Sequence, residues 1–269
     1  MSTGDAVSGW DDWRQARLDR LRGPSSPLAL TGTHWFDDEL TLDGVPGHWV
    51  AGGSGGSGGV TLAASATDDV RVDGELLDGT AAIVSDLALT PSDVRAGPLR
   101  LRLIDRDGVL AVRVYDPAGP AASGFSGLDV FHFDPSWVLP ARFEPFEATR
   151  QVVVPNADGV DRPLPLGGTV TFARHGTEIN LQVEVDEETG EMQAVFADLT
   201  SRSPDPDRRA YRFRFVNFPP PDADGATVAD LNQAFLPPCA FNEFFVCPFP
   251  PPGNTVDLAV EAGERAARW

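Results

Sequence analysis

Hydrophobic positions at the start of the chain recur at the spacing of an α-helix. The large apolar residues that would form one stripe after Ser8 are Trp10, Trp13, Leu18 and Leu21. Acidic residues occupy the first turn of this pattern, where they interact favourably with the helix dipole, and Gly23-Pro24 ends it. The spacing therefore predicts a helix within residues 1–22, with Trp10 and Trp13 largely buried.

Beyond this helix, apolar and polar residues alternate in short segments that are separated by Gly, Pro and Asp. The segments with the pattern of strands are 60–64, 69–74, 99–105, 108–116, 150–156, 169–176, 179–186, 192–199 and 211–218. Many short strands at close spacing favour a sandwich or barrel over alternating βα units. We therefore expect a mainly β protein, with a single β-sandwich or barrel-like domain over 23–269 that follows the N-terminal α-helix of 1–22.

The last of these segments shows the alternation most clearly. Tyr211, Phe213 and Phe215 occupy one set of alternate positions, and Arg212 and Arg214 occupy the other. Since successive side chains of a strand point to opposite faces, we expect the aromatic rings in the core and both guanidinium groups in solvent.

Two segments of low complexity interrupt the strands. The segment AGGSGGSGGV at 51–60 offers many free backbone amides, but it lacks the Gly-Lys-Ser/Thr ending of a phosphate-binding loop and no helix pattern follows it. A flexible connection is the favoured interpretation. The segment SRSPDPDRRA at 201–210 has the composition of a solvated turn between strands.

The charge of the chain restricts its partners. There are 21 basic and 40 acidic side chains, which gives a net charge of -19, and every basic one is an arginine. Such an anionic protein repels phosphate backbones, so we expect it to bind neither nucleic acid nor acidic membrane surfaces. A salt-adapted host and a GC-rich genome both explain this composition, and the sequence does not separate them.

The first residues, MSTGDAVSGWDDWRQARLDR, lack the basic and apolar regions of a signal peptide. No apolar run approaches the roughly 20 residues that a membrane-spanning helix needs. We expect a soluble, cytoplasmic protein, in which two cysteines are more often free thiols than a disulfide.

Both cysteines lie in the segment DLNQAFLPPCAFNEFFVCPFPPPGN at 230–254. Six prolines in this segment prevent a continuous helix. Its five phenylalanines require a core, and they are Phe235, Phe241, Phe244, Phe245 and Phe249. We therefore expect an ordered, mostly non-helical cap in which Cys239 and Cys247 are reduced and buried.

This tail also resembles the signature of a known family, the domain of unknown function 1684. The resemblance rests on D-x-N-x-A-F-x-P-P-C-A-F, the following C-P-x-P-P-P-x-N and the VDLAVEAGE of 256–264. The resemblance extends upstream to FADLTS at 196–201, and residues 196–264 form its C-terminal signature. It continues further upstream to FSGLDVFHFDPSWVLPARFEPF at 125–146. The W-x-x-W-R-x-x-R of the N-terminal helix and LTGTHWF at 30–36 are similar to the long form of the family. No activity and no cofactor are established for this family, so the resemblance suggests neither for this chain.

The chain departs from the family pattern at several polar positions. Arg202 follows Thr200-Ser201 where a glycine is usual, and Ala210 replaces a threonine before Tyr211. Phe235-Leu236 stands in place of Tyr-Asn, and Gly253 in place of a glutamate. If these groups form a catalytic site in relatives, that site is altered here.

Few residues of the chain match a known catalytic or metal-binding pattern. The spacing of Cys239 and Cys247 fits no zinc motif, and the histidines form no H-x-H or H-x-x-x-H pair. The G-x-S-x-G spacing occurs only within the glycine-rich segment 51–60, which no helix pattern follows, so there is no nucleophile elbow. We therefore expect no metal and no cofactor. A catalytic thiol would need a base that only the fold could supply, from His34, His48, His132 or His175.

Five candidate site residues remain, namely Asp198, Tyr211, Asp230, Asn232 and Cys239. The favoured hypothesis is a β protein that binds a small molecule or is purely structural, in which these residues support an irregular segment. The alternative is a small-molecule enzyme, hydrolytic in type, with a pocket formed by the C-terminal motif. Convergence of the five side chains on one concave pocket would favour the enzyme. The oligomeric state and the ligand are left open.

Overall fold

The computed structural model describes residues 3–52, 59–106 and 108–269. Strands make up 48% of the structure and helices 13%, so the expected mainly β class with an N-terminal helix is confirmed. Positions 53–58 of the glycine-rich segment lie outside the described residues, and its role as a flexible connection stays a prediction. Within the described residues, no helix combines the length and the apolar character needed to cross a membrane.

The chain forms two compact units. We call Arg20–Gly124 the N-terminal unit, and Met1–Asp19 together with Phe125–Trp269 the C-terminal unit. These boundaries differ from the expected division between residues 22 and 23. Whether residues 23–269 behave as a single folding domain stays a prediction.

The N-terminal helix α1 spans Thr3–Leu21, which is longer at its start than the pattern after Ser8 suggested. Trp10 and Trp13 are only partly buried, so the expectation that both side chains are largely buried is wrong. The reason is visible at Trp10, whose ring packs on Phe133 at 5.5 Å while its Nε1 donates to the carbonyl of Asn232 at 3.1 Å. An amphipathic indole is often placed in this way, with its ring packed on an apolar neighbour and its N–H bonded to a backbone carbonyl at the edge of a core.

The N-terminal unit contains two antiparallel sheets. Its strands are β1 (Leu30–Phe36), β2 (Glu39–Leu42), β3 (Val45–Ala51), β4 (Val60–Ala64), β5 (Val70–Val72), β6 (Glu75–Leu76), β7 (Gly79–Ile83), β8 (Val94–Ala96), β9 (Leu99–Arg106) and β10 (Val109–Tyr115), followed by the short helix α2 (Pro120–Gly124). The strand orders are β1-β10-β9-β8-β5-β6 and β2-β3-β4-β7. Both sheets contribute to one core around Trp49 and Leu62, which are fully buried.

The C-terminal unit is built on a six-stranded antiparallel sheet. Its strands are β11 (Gly127–Val130), β12 (Val138–Pro155), β13 (Asp161–Arg174), β14 (Thr177–Val185), β15 (Met192–Phe196), β16 (Arg214–Phe218), β17 (Ala226–Asp230) and β18 (Glu264–Arg268). The order in the large sheet is β16-β15-β14-β13-β12-β17, while β11 pairs with β18. The large sheet curls, so that its edge strands β16 and β17 approach each other.

The segment between β17 and β18 crosses this sheet without α-helix, as expected for residues 230–254. It contains the single 3-10 turns Leu231–Gln233 and Pro238–Ala240. Asn254 fixes it to the sheet, because its Nδ2 donates to the carbonyls of Gln182 and Val195 at 2.8 and 2.9 Å and its Oδ1 accepts from the Gln182 amide at 2.9 Å. One expectation fails here, since Phe244 is 39% exposed.

Candidate functional site

The five residues predicted from the sequence fall into three hydrogen-bonded groups, all in the C-terminal unit. Asp198 pairs with an arginine, Asp230 and Asn232 bind each other, and Tyr211 contacts Cys239.

Asp198 and Arg214 form an enclosed ion pair with Nη2 to Oδ2 at 2.7 Å, and their side chains are 2% and 1% exposed. Asp198 caps the 3-10 turn Leu199–Arg202 by accepting from the Thr200 amide at 2.7 Å. The Arg214 guanidinium also donates to the carbonyls of Val260 and Ala262. The expectation that Arg214 faces solvent is therefore wrong, because a buried carboxylate and the returning chain provide partners that offset its desolvation.

Asp230 and Asn232 hold a turn against the loop that precedes β12. Asn232 is 1% exposed, and its side chain exchanges two hydrogen bonds of 3.0 Å with the backbone of Asp134. Asp230 accepts from the backbone and side-chain nitrogens of Asn232, both at 3.0 Å, and from Gln233. Burial raises the pKa of Asp230 above its ordinary value, and the hydrogen bonds oppose that rise.

Tyr211 and Cys239 belong to a group that also contains Cys247 and Arg212. The Tyr211 hydroxyl donates to the carbonyl of Cys239 at 3.2 Å, and the Cys239 amide donates to the Cys247 sulfur at 3.3 Å. Both cysteines are free thiols. Cys247 is buried as expected, but Cys239 is only partly buried, which corrects the prediction for that residue.

The same contacts set the acidity of this group. A hydrogen bond from Cys247 lowers the pKa of Cys239 to about 7 against the opposing effect of burial, and Tyr211 and Arg212 contribute further. Burial, together with the neighbouring thiol, raises the pKa of Tyr211 to about 12. At neutral pH this arrangement keeps the phenol neutral and leaves Cys239 partly ionised.

An open cleft lies beside the 3-10 turn that Asp198 caps. It consists of two adjoining depressions of about 280 Å³ and 260 Å³ that share Arg208, Ala259 and Glu261. The first is further lined by Asp134, Trp137, Arg174, His175 and Leu258. The second is further lined by Leu199, Thr200, Arg202, Ser203 and Pro204. Of the five predicted residues, none lines either depression.

Two polar groups in the second depression lack partners among the described residues. The Thr200 hydroxyl is buried without a hydrogen bond, although Thr200 is only 2% exposed. The exposed Arg202 guanidinium makes no hydrogen bond or ion pair within the described part of the chain. By contrast, Arg208 pairs with Glu261, and Arg174 stacks on the Trp137 ring at 3.6 Å.

Little in the sequence pointed to this cleft. The segment 201–210 has the composition of a solvated turn, and the opposite wall comes from residues 258–261, about fifty positions later. The one signal was the concentration of arginines after Thr200-Ser201 in a chain of net charge -19.

Comparison with known proteins assigns the C-terminal unit to a protein family. The model of the family described as "Protein of unknown function (DUF1684)" matches residues 123–265, which is more than half of the chain. The chain belongs to the DUF1684 family. This DUF1684 match covers nearly all of the C-terminal unit after α1, whereas the N-terminal unit lies almost entirely outside it.

The chain is also similar to an uncharacterized protein of Haloarcula marismortui whose solution NMR structure is known. The two are 28% identical, the match covers 56% of this chain and 82% of that chain, and the TM-score is 0.44. No curated protein matches the chain.

The structure accounts physically for the last part of the DUF1684 signature, VEAGE. Gly263 has a φ of 78°, and an added Cβ would meet the carbonyl oxygen of Ala234. Glu264 is 1% exposed, accepts from the Leu236 amide at 2.7 Å and pairs with Arg17 of α1 at 2.9 Å. This DUF1684 sequence therefore ties its cap segment to its first helix.

Proposed function

We propose that this DUF1684 protein binds a small anionic molecule, without catalysis, in the cleft beside the Leu199–Arg202 turn. The observation that carries the proposal is the combination, in one open depression, of a buried Thr200 hydroxyl and an exposed Arg202 guanidinium that both lack partners within the described residues. A ligand carboxylate or phosphate would accept hydrogen bonds from such groups.

The charges around the cleft favour an anion over a cation. Three arginines line it, against the two carboxylates of Asp134 and Glu261. Arg208 is paired with Glu261, and Arg174 is engaged by Trp137 and by Ser136. Arg202 is therefore the guanidinium that is ready to bind a ligand without breaking an existing pair.

The dimensions of the cleft support a small ligand. Each depression is slightly below the range of roughly 300–1,000 Å³ that is usual for drug-sized molecules. Leu258 provides apolar surface in the first depression and Leu199 in the second. These features suit a compact organic acid or phosphate ester better than a large cofactor.

The hydrolytic alternative receives less support from the geometry. Asp198, Asp230 and Asn232 are engaged by the backbone and by one another, in arrangements that hold turns in place. Tyr211 and Cys239 contact each other, but they do not line the cleft. An enzyme that uses all five would need them on one concave surface.

The test is a binding screen by NMR with small mono- and dicarboxylates and with simple phosphate esters. We expect chemical shift changes at residues 199–203 and 258–261 for at least one compound. Arg202→Gln should weaken binding about tenfold, since a charge-assisted hydrogen bond is lost. The matched control is Arg142→Gln, which removes an exposed arginine of β12 that does not line the cleft and should leave the affinity unchanged.

A second variant separates binding from stability. Thr200→Val replaces an unsatisfied buried hydroxyl by a methyl group, so the ligand-free protein should be as stable as before or more stable. Its affinity for the same compound should nevertheless fall. The proposal is refuted if no compound in the screen binds. It is also refuted if a compound binds but leaves the signals of the 199–203 turn unchanged, and binds the Arg202→Gln and Thr200→Val variants as tightly as the original protein.

A further inference from the structure

We propose that Cys239 and Cys247 form a peroxide-oxidisable dithiol, in which Cys239 is attacked first and Cys247 resolves the product to an intramolecular disulfide. This inference is independent of the proposed ligand cleft, which neither cysteine lines. It rests on the contacts between the two thiols, on their difference in exposure and on the charged group beside them.

The geometry brings the two cysteines together across a turn of the cap segment. The Cys239 amide donates to the Cys247 sulfur at 3.3 Å, and the Cys247 thiol in turn donates to the Cys239 sulfur. Cys239 is partly buried and Cys247 is buried. An oxidant in solvent therefore reaches Cys239 first, and the less accessible Cys247 lies next to it.

The surroundings stabilise Cys239 as a thiolate, the reactive form of the residue. The Tyr211 hydroxyl lies 3.8 Å from its sulfur, and the Arg212 guanidinium adds a positive charge. Arg212 is held there by aromatic rings, being 4.6 Å from the centre of Phe249 and 5.4 Å from that of Phe213. The resulting pKa of about 7 leaves roughly half of Cys239 as thiolate at neutral pH, against a few per cent for an ordinary cysteine.

The reaction balances with hydrogen peroxide as the two-electron oxidant. The Cys239 thiolate attacks one peroxide oxygen, the O–O bond breaks, and the departing hydroxide takes a proton to give water and a sulfenic acid. The Cys247 sulfur then attacks the sulfenic sulfur, the S–O bond breaks, and the hydroxide leaves as a second water after taking the Cys247 proton. Two thiols and one peroxide thus give one disulfide and two waters.

The test treats the intact, reduced protein with one equivalent of hydrogen peroxide and follows it by mass spectrometry. We expect the loss of two hydrogen atoms and a disulfide-linked peptide that joins Cys239 to Cys247. In Cys247→Ser, dimedone should trap a sulfenic acid on Cys239, because the resolving thiol is absent. Alkylation of Cys239 by iodoacetamide should show a rate inflection near pH 7.

Variants of the neighbouring groups test their electrostatic role. Arg212→Gln should slow the alkylation of native Cys239 at pH 7 several-fold and shift its inflection upward, whereas Arg212→Lys should retain most of the rate. If a variant fails to fold, disulfide formation and the pH dependence of Cys239 alkylation in the unsubstituted protein still test the proposal.

Three results would overturn the proposal. They are thiols that react with peroxide only after denaturation, a disulfide that forms between two copies of the chain instead of within one, and a Cys239 inflection at the pH of an ordinary thiol.

Discussion

Arg214 and Glu264 carry charges in the interior of the C-terminal unit, and each contacts an opposite charge. Arg214 pairs with Asp198, and Glu264 pairs with Arg17. A buried ion without such a partner costs several kcal/mol, so the partner determines where the charge is tolerated. This explains why the alternation over 211–218 correctly placed the rings of Phe213 and Phe215 but misplaced Arg214. The residues that neutralise it come from distant parts of the sequence, and a local pattern does not contain them.

Glu184 of β14 is the contrasting case, and it predicts a pH dependence of stability. Its carboxyl has no hydrogen bond or ion pair among the described residues, and burial raises its pKa from 4.5 to about 7. Between these two pH values the folded protein retains a proton that the unfolded chain has released. Stability from this residue is therefore present at low pH and falls as the pH rises through that window, by roughly 3 kcal/mol in total.

Glu184→Gln should remove this fall. Near pH 5 the variant and the original protein should have similar urea midpoints, and at pH 8 the variant should be the more stable by up to roughly 3 kcal/mol. Glu187→Gln, an exposed change in the following turn, is the matched control and should leave the pH profile unaltered. Parallel profiles for Glu184→Gln and the original protein would contradict the expectation.

At the scale of elements, prediction from sequence worked where strands alternate over several residues. Every one of the nine predicted segments overlaps a strand, and 60–64 coincides with β4. The missed elements include strands as short as β6 and β8, which carry too few residues for a recognisable period, and β18, which pairs with β11 more than a hundred positions away. The cleft was missed for the same reason, since its walls meet only through tertiary structure.

The attachment of α1 leads to a second prediction. Its tryptophans are partly exposed, so we assign its main anchor to Arg17, which binds Glu264 at 2.9 Å and the carbonyl of Leu236 at 2.9 Å. Arg17 also lies over the ring of Phe235 at 5.0 Å. Arg17→Met preserves the apolar stem but leaves Glu264 as a buried carboxylate without its cation, which should lower the free energy of unfolding by about 3 kcal/mol.

Urea denaturation measures this loss, and the same helix offers a control. Arg14 lies over the Trp10 ring at 4.7 Å and forms no ion pair within the described residues, so Arg14→Met should cost less than about 1 kcal/mol. Adding Glu264→Gln to Arg17→Met should restore part of the stability, because it removes the uncompensated charge. Equal losses for the Arg14 and Arg17 variants would show that α1 is held by packing and not by this ion pair.

At the scale of the whole molecule, the DUF1684 family model matches one of the two units, whereas acidic residues occur in both. The family match ends at residue 265 and begins at 123, next to the boundary of the C-terminal unit. The sequence indicated the class of fold and the family. The division into two units did not follow from it, because strands of similar length and composition occur on both sides of the boundary.

The net charge of -19 gives the last prediction, that the protein does not bind duplex DNA. The strongest objection is the local concentration of arginines at 202–214, within the region of the proposed anion cleft. The structure weakens this objection, because Arg214 is enclosed with Asp198, Arg208 pairs with Glu261, and Arg209 donates to the carbonyl of Ser203. The segment also contains Asp205 and Asp207. A small anion needs one or two free donors, whereas a duplex needs a surface that releases many counterions.

Fluorescence anisotropy with a labelled mixed-sequence duplex is the measurement, at low and at near-physiological salt. We expect no binding at protein concentrations of tens of micromolar, and no gain on lowering the salt, because weaker screening strengthens repulsion between two polyanions. A compound that binds the cleft should do so in the same buffer, which shows that the protein sample is competent. Duplex binding that strengthens steeply as salt is lowered would mean that the arginines at 202–212 act together as a basic surface, and it would also remove the argument that the cleft selects small anions.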